Sequence, residues 1–187
     1  MRVLSSYRAG SLGYPGETRQ VQGVFFSEWG PADKMRRLRG MIDDGADDPL
    51  VHELAARIVA PVDARDAAGE AAALLSWVQT QIRYTPERVE TFQSARYTLE
   101  HAYGDCDDLV VVLGALLESI VIPTQLEVLG WAEGGVFDCR HIFLRVGLPP
   151  RAPTEWVAAE PTLPVPFGWE PAPYAAARLQ KKASVGL

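Results

Sequence analysis

The sequence contains only two cysteines among its 187 residues, Cys106 and Cys139. Two cysteines cannot form the disulfide framework of small secreted domains, which excludes that class. No apolar run reaches the length of about 20 residues that is needed to cross a bilayer. The first residues, Met1 to Tyr7, also lack the apolar core of a signal peptide. We therefore expect a cytoplasmic protein that makes no contact with a membrane.

Positive charge is also scarce. The 18 Lys and Arg residues are outnumbered by 24 Asp and Glu residues, which gives a net charge of −6. Such a balance argues against non-specific binding to nucleic acid and to anionic membranes. The densest basic segment lies on a predicted helix and is interpreted as a solvated helix face; it contains Lys34, Arg36, Arg37 and Arg39.

The apolar content, at 48% hydrophobic and 22% charged residues, is sufficient for one hydrophobic core in a chain of this length. We expect a single domain over residues 1–187, without internal repeats or low-complexity segments. Glycine and proline punctuate residues 1–30, which are predicted to form an extended arm. Residues 170–187 are predicted to form a surface strap or a loose tail.

Hydrophobic periodicity predicts a helical first half, followed by strands. The predicted helices are 31–42, 49–59, about 63–83, 94–101 and 106–119, and the predicted strands are 124–131, 136–146 and 155–160. A hairpin turn is predicted at Gly134-Gly135. The acidic segment 43–48 lacks the ligand spacing and the terminal glutamate of a calcium loop. It is interpreted as a solvated turn in which Asp47 or Asp48 caps the next helix.

The segment Gly104-Asp105-Cys106-Asp107-Asp108 precedes a long apolar run and is typical of a helix start. Asp105 is the predicted N-cap, and Asp108 completes a capping box. Cys106 then occupies the first helical position, where the helix dipole favours a thiolate. The carboxylates of Asp107 and Asp108 oppose that ionisation, so a cationic partner is required from elsewhere in the fold.

An imidazole is available downstream. His141 lies inside the predicted strand 136–146, and Glu160 lies at the exit of the following strand, where its carboxylate can orient that imidazole. A nucleophile, a base and a third group that holds the base are the components of acyl transfer through a thioester.

These residues resemble the transglutaminase-like branch of the papain-like cysteine peptidase superfamily, and within it the bacterial and phage members. The resemblance rests on the cysteine motif at residues 104–108, on His141-Ile142-Phe143 and on Glu160-Pro161-Thr162. It covers residues 71–169, which would form the catalytic core. It implies an α+β fold in which a helical first half, with the cysteine-bearing helix at its centre, packs on a small antiparallel sheet.

The resemblance implies that Cys106 is the nucleophile, His141 the general acid and base, and Glu160 the orienting acid, a position where the family usually has aspartate. It implies a cysteine peptidase or amidase that hydrolyses an amide of a peptide or protein substrate, without a cofactor or a metal. Tyr103 and Asp107 are further candidates for binding the oxyanion or the substrate, and the backbone amide of Cys106 is another donor.

Two alternatives remain open. In the first, the chain is a non-catalytic structural or assembly component, phage-related and virion-associated, as relatives that it resembles suggest. In the second, Cys106, Cys139 and His141 bind zinc with Asp138, His101 or Glu160 as the fourth ligand. Cys139 and His141 are two residues apart on a predicted strand, so both side chains would leave the same face. The paired cysteine motifs of structural zinc sites are absent from the sequence.

Overall fold

The structure is a computed structural model that describes residues 31–86, 91–133, 136–170 and 183–185. Its described helices are α1 (Pro31–Ala46), α2 (Pro49–Val59), α3 (Ala67–Gln81), α4 (Ala95–His101) and α5 (Cys106–Ser119). The predicted N-terminal arm at residues 1–30 and the predicted turn at Gly134-Gly135 lie outside the described residues.

The described strands form two sheets. Strands β3 (Thr124–Glu133), β4 (Val136–Leu148), β5 (Glu155–Ala159) and β6 (Ala183–Val185) make an antiparallel sheet in the order β5-β4-β3-β6. Two short strands, β1 (Arg83–Tyr84) and β2 (Tyr103–Gly104), pair in parallel. The predicted α+β class is therefore confirmed. Part of the segment predicted as a strap or loose tail is instead the edge strand β6.

Helix α5 lies at the centre of the protein. Its residues from Asp107 to Leu117 are all buried, and it packs against the other four described helices and against β3 and β4. The sheet contributes to the same core through alternate residues of its two long strands, Leu126, Val128, Ile142, Leu144 and Val146. Burial on every side explains why α5 is apolar all round rather than along a single stripe.

Helix α1 continues four residues beyond the predicted end at residue 42, so the acidic segment is not wholly a turn. Two contacts explain the extension. Arg39 Nη2 lies 2.8 Å from Asp43 Oδ1, one turn along the helix. A Cβ atom at Gly45 would lie only 2.8 Å from the Cβ of Ala115, so the glycine permits close packing of α1 on α5. Asp48 caps α2 as predicted, because its Oδ1 accepts a 2.9 Å bond from the Leu50 amide.

Helix α3 is shorter than predicted at both ends. It begins after Asp66, whose carboxylate accepts a 2.9 Å bond from the Gly69 amide. At its other end the chain becomes extended, because β1 pairs with β2: the Arg83 amide donates to Ala102 O at 2.9 Å, and the Thr85 amide donates to Gly104 O at 2.8 Å. The sequence pattern contained no signal for this long-range pairing.

The interpretation of the basic segment as a solvated face is only half correct. Arg36 and Arg37 are exposed, whereas the Arg39 side chain is 10% exposed and pairs with Glu118 on α5 as well as with Asp43. Lys34 is also largely buried, and it belongs to the candidate active site. A helix that packs on its neighbours by nearly its whole length buries some of its charged residues in ion pairs.

Gly114→Ala is expected to lower the free energy of unfolding by about 1–3 kcal/mol, because a Cβ would lie 2.8 Å from Ile42 Cδ1 in the packed α1–α5 interface. Urea unfolding of the variant measures this loss. The matched control is Gly40→Ala, since nothing lies within 4 Å of a Cβ at that helical position. The control should raise stability by about 0.5–1 kcal/mol through helix propensity. Equal effects of the two variants would contradict the close packing.

Candidate active site

The start of α5 has the predicted capping box. The Asp105 carboxylate accepts bonds from the amides of Asp107 at 3.0 Å and Asp108 at 3.5 Å, and Asp108 Oδ2 accepts one from the Asp105 amide at 3.1 Å. Asp108 Oδ1 also accepts a 2.8 Å bond from the Gln93 amide. A Cβ at Gly104 would lie 2.6 Å from the Cβ of Asp108, which explains the glycine. Cys106 therefore occupies the first position of a firmly capped helix.

The next residue, Asp107, has a partner that the sequence did not indicate. Its side chain is 1% exposed, and its Oδ2 lies 2.7 Å from Lys34 Nζ on α1. Its Oδ1 lies 3.7 Å from Cys106 Sγ. The Lys34 ammonium also lies 5.7 Å from the centroid of the Phe92 ring. A buried ion pair thus lies directly beside the thiol.

His141 on β4 and Glu160, which follows β5, are in direct contact. His141 Nε2 lies 2.5 Å from Glu160 Oε2. The other carboxylate oxygen, Oε1, accepts bonds from the Thr162 amide at 2.9 Å and from its hydroxyl at 2.6 Å. Glu160 is fully buried, whereas the His141 side chain is 26% exposed. The contact fixes the ring through Nε2 and leaves Nδ1 on the opposite side of the imidazole.

The environment of Glu160 keeps its carboxylate ionised. Burial alone raises the pKa of Glu160, but the bond and the charge of His141 and the two donors of Thr162 outweigh burial, and the net effect lowers the pKa from 4.5. An ionised, buried carboxylate in contact with an imidazole stabilises the imidazolium form. An ionised carboxylate therefore lies against one nitrogen of the His141 ring.

A single side chain on α3 anchors the segment that carries Glu160. Gln79 Nε2 lies 2.9 Å from the carbonyl oxygen of Glu160, 2.7 Å from that of Leu163 and 2.9 Å from that of Val165. Because only the nitrogen of a side-chain amide can donate, these three carbonyl oxygens also establish the orientation of the Gln79 amide. Gln79 thereby anchors the backbone at Glu160 from outside the sheet.

Tyr84 on β1 is a site residue that sequence reasoning missed. Its Cα pairs with Gly104, two residues before Cys106, and its side chain is 46% exposed. Burial, followed by the nearby ionisable groups of Cys106, Asp105, Asp107 and Glu160, raises the pKa of Tyr84 above 10.0. The hydroxyl therefore lies within electrostatic range of both the cysteine and the acid, and it remains protonated at neutral pH.

Tyr103 on β2 contacts the aromatic side chains of α4. It hydrogen-bonds to Tyr97, which raises the pKa of the Tyr97 hydroxyl. Its ring also meets His101 edge-on, with centroids 6.1 Å apart. Its predicted role toward an oxyanion remains a prediction.

The family model for the transglutaminase-like superfamily matches residues 52–161, which is more than half of the chain. The chain belongs to the transglutaminase-like superfamily. The matched region begins in α2 and ends just after Glu160, so it includes Cys106, His141 and Glu160. A comparison with curated proteins gives no match.

Solved structures resemble the transglutaminase-like protein in fold. A predicted protease from Parabacteroides distasonis aligns with a TM-score of 0.52 at 8% identity, over 90% of this chain and 41% of that one. A predicted cysteine protease from Cytophaga hutchinsonii aligns with a TM-score of 0.45 at 16% identity, over 73% of this chain and 46% of that one. The chain therefore spans less than half the length of either protein.

No described helix combines the length and the apolar character needed to cross a membrane.

Among the described residues, side chains that could bind a metal form a group of three or more only at the start of α5. Ligand atoms of Asp105, Cys106 and Asp107 lie within 4.8 Å of one another. The Asp105 carboxylate caps the helix and that of Asp107 pairs with Lys34. Both carboxylates therefore already have partners within the protein. The side chain of Cys139 lies outside the described ones, so its predicted orientation beside His141 remains a prediction.

Proposed function

We propose that this transglutaminase-like protein is a cysteine hydrolase that cleaves an amide bond of a peptide or protein through a thioester. Cys106 is the nucleophile, His141 the general acid and base, and Glu160 the orienting acid. The observation that carries the proposal is the 2.5 Å contact between His141 Nε2 and the fully buried Glu160. A carboxylate that fixes one ring nitrogen presents the other to a nucleophile in a defined tautomer.

In the proposed reaction, His141 accepts the proton of the Cys106 thiol, Cys106 Sγ bonds to the carbonyl carbon of the substrate, and the carbonyl oxygen becomes an oxyanion. The amide of Cys106 at the start of α5 and the protonated Tyr84 hydroxyl are the proposed donors to that oxyanion. The C–N bond then breaks, and the leaving amine takes a proton from the imidazolium of His141. What remains is a thioester on Cys106.

Water completes the cycle. His141 removes a proton from the water as the water oxygen bonds to the thioester carbon. The C–S bond then breaks, and the leaving sulfur takes that proton from His141, which releases a carboxylic acid and restores the thiol. Hydrolysis is favoured over transfer to an amine because water is by far the more concentrated acceptor unless a site excludes it. Glu160 keeps its charge throughout and stabilises the imidazolium each time it forms.

The test is the reactivity of the two thiols in the native protein. Cys106 is expected to react with iodoacetamide faster than Cys139 near pH 7, because Cys106 lies at a capped helix start and has His141 as its proposed partner. Peptide mass spectrometry over time measures both rates, and Cys106→Ala and Cys139→Ala confirm the assignment. Equal rates would favour the structural alternative. Stoichiometric zinc in protein purified without added metal would favour the zinc alternative.

A further inference from the structure

Negative charge dominates the surroundings of Cys106. Asp105 and Asp107 flank it in sequence, and the ionisable groups of Cys106 and Glu160 both contribute to the raised pKa of Tyr84. The Asp105 carboxylate accepts bonds from two helix amides, which offset its charge. The Asp107 carboxylate contacts the thiol, with 3.7 Å between its Oδ1 and Sγ, so its charge opposes ionisation of Cys106 directly.

Lys34 supplies the opposite charge from a separate helix. Its Nζ lies 2.7 Å from Asp107 Oδ2, and the two side chains are 18% and 1% exposed. Screening by water is weak at such burial, so each charge strongly affects its neighbours. Removing one partner of a buried pair leaves the other charge uncompensated.

We propose that Lys34 is a positioning residue for the active-site thiol: it pairs with Asp107 and so cancels the carboxylate charge that would otherwise keep Cys106 protonated. The inference rests on the proposed function, because it assigns a role to Lys34 in the reactivity of that nucleophile. Among the described residues, the other charged or titratable groups at the helix start and in the proposed triad are Asp105 at the N-cap, Asp108 in the first turn of α5, Tyr84 on β1, His141 on β4 and Glu160 after β5. None of these is changed in the test below.

This role and a purely structural role of Lys34 predict different effects of substitution. If the Lys34–Asp107 pair only joins α1 to α5, replacing Lys34 lowers the free energy of unfolding and leaves the reactivity of Cys106 unchanged. A role at the thiol requires that the Lys34 and Asp107 charges act on Sγ with opposite signs. Replacing Lys34 should therefore hinder thiolate formation, and replacing Asp107 should assist it.

The experiment is the pH profile of Cys106 alkylation by iodoacetamide in five variants of the 187-residue protein. Lys34→Met should raise the midpoint and lower the rate at pH 7 by about tenfold, since a midpoint higher by about 1 on the pH scale lowers the thiolate fraction by that factor. Asp107→Asn should lower the midpoint. The double variant should return toward the wild-type profile, and Lys34→Arg, which keeps the charge, should stay near it. Arg36→Met, at an exposed position of the same helix, is the control and should change nothing.

An unchanged midpoint in Lys34→Met, together with a lower melting temperature, would overturn the inference and leave Lys34 as a structural tie. Should Lys34→Met fail to fold, Asp107→Asn decides, because it retains the lysine: a lowered midpoint supports the inference and an unchanged one overturns it. Failure of the proposed function itself appears separately, as a wild-type Cys106 that reacts no faster than Cys139.

Discussion

Glu160→Gln is expected to lower turnover by about 10²- to 10⁴-fold while leaving KM nearly unchanged, as loss of the orienting acid does in related triads. Gln has nearly the same size, but it removes the charge that stabilises the imidazolium and can present an amide donor to His141 Nε2. The measurement is kcat and KM on a peptide substrate identified by library screening. The pH profile of Cys106 alkylation provides a second readout that needs no substrate.

Two controls separate this effect from general damage. Glu155→Gln removes a charge from the exposed start of β5 and should retain wild-type turnover. Glu160→Asp keeps the charge but withdraws it by one methylene from a partner that now lies 2.5 Å away, so it should fall between Glu160→Gln and wild type. If Glu160→Gln changes neither turnover nor the alkylation profile, the third role does not belong to Glu160.

His141→Ala should abolish measurable turnover and lower the alkylation rate of Cys106 at pH 7 by about 10²-fold or more, because under the proposed function it removes both the proton acceptor and the cation that stabilises the thiolate. Its buried partner Glu160 would also lose its closest contact, so thermal unfolding should be recorded to confirm that the variant is folded. Quantitative mass spectrometry of the Cys106 peptide measures the rate.

The matched control is His52→Ala. His52 Nδ1 lies 2.9 Å from the carbonyl oxygen of Ser119, at the far end of the same helix that carries Cys106, so its loss perturbs α5 without reaching the thiol. The control should alkylate Cys106 at the wild-type rate. Comparable slowing in both variants would mean that α5 transmits a general loss of order and that His141 has no specific role.

The features that were predictable are those that neighbouring residues determine. The capping box at Asp105 and Asp108, the bounds of α2, and the strand that carries His141 all follow from side chains within a few positions of the element. Capping is a bond between residues two or three apart, so the sequence pattern contains all of it. The order of Cys106, His141 and Glu160 along the chain could likewise be read from the sequence.

The features that were missed depend on partners far along the chain. Helix α1 extends past its predicted end because Gly45 packs closely on α5, and α3 stops early because Arg83 and Tyr84 pair with β2. Lys34 was interpreted as a solvated charge, since its sequence neighbours are basic and nothing near it in sequence suggests Asp107 as a partner. Propensity is a weak prior, and tertiary contacts override it in each of these cases.

The sequence by itself determined the α+β class, a capped helix with Cys106 at its first position, and strands that carry His141 and end at Glu160, because periodicity and capping are local. Only the tertiary structure decided that His141 and Glu160 lie 2.5 Å apart, that Tyr84 lies in the field of Cys106 and Glu160, and that Lys34 pairs with the carboxylate beside the thiol. Contacts of this kind form when separate elements pack around one core, and burial then sets the strength of the interactions between their charges.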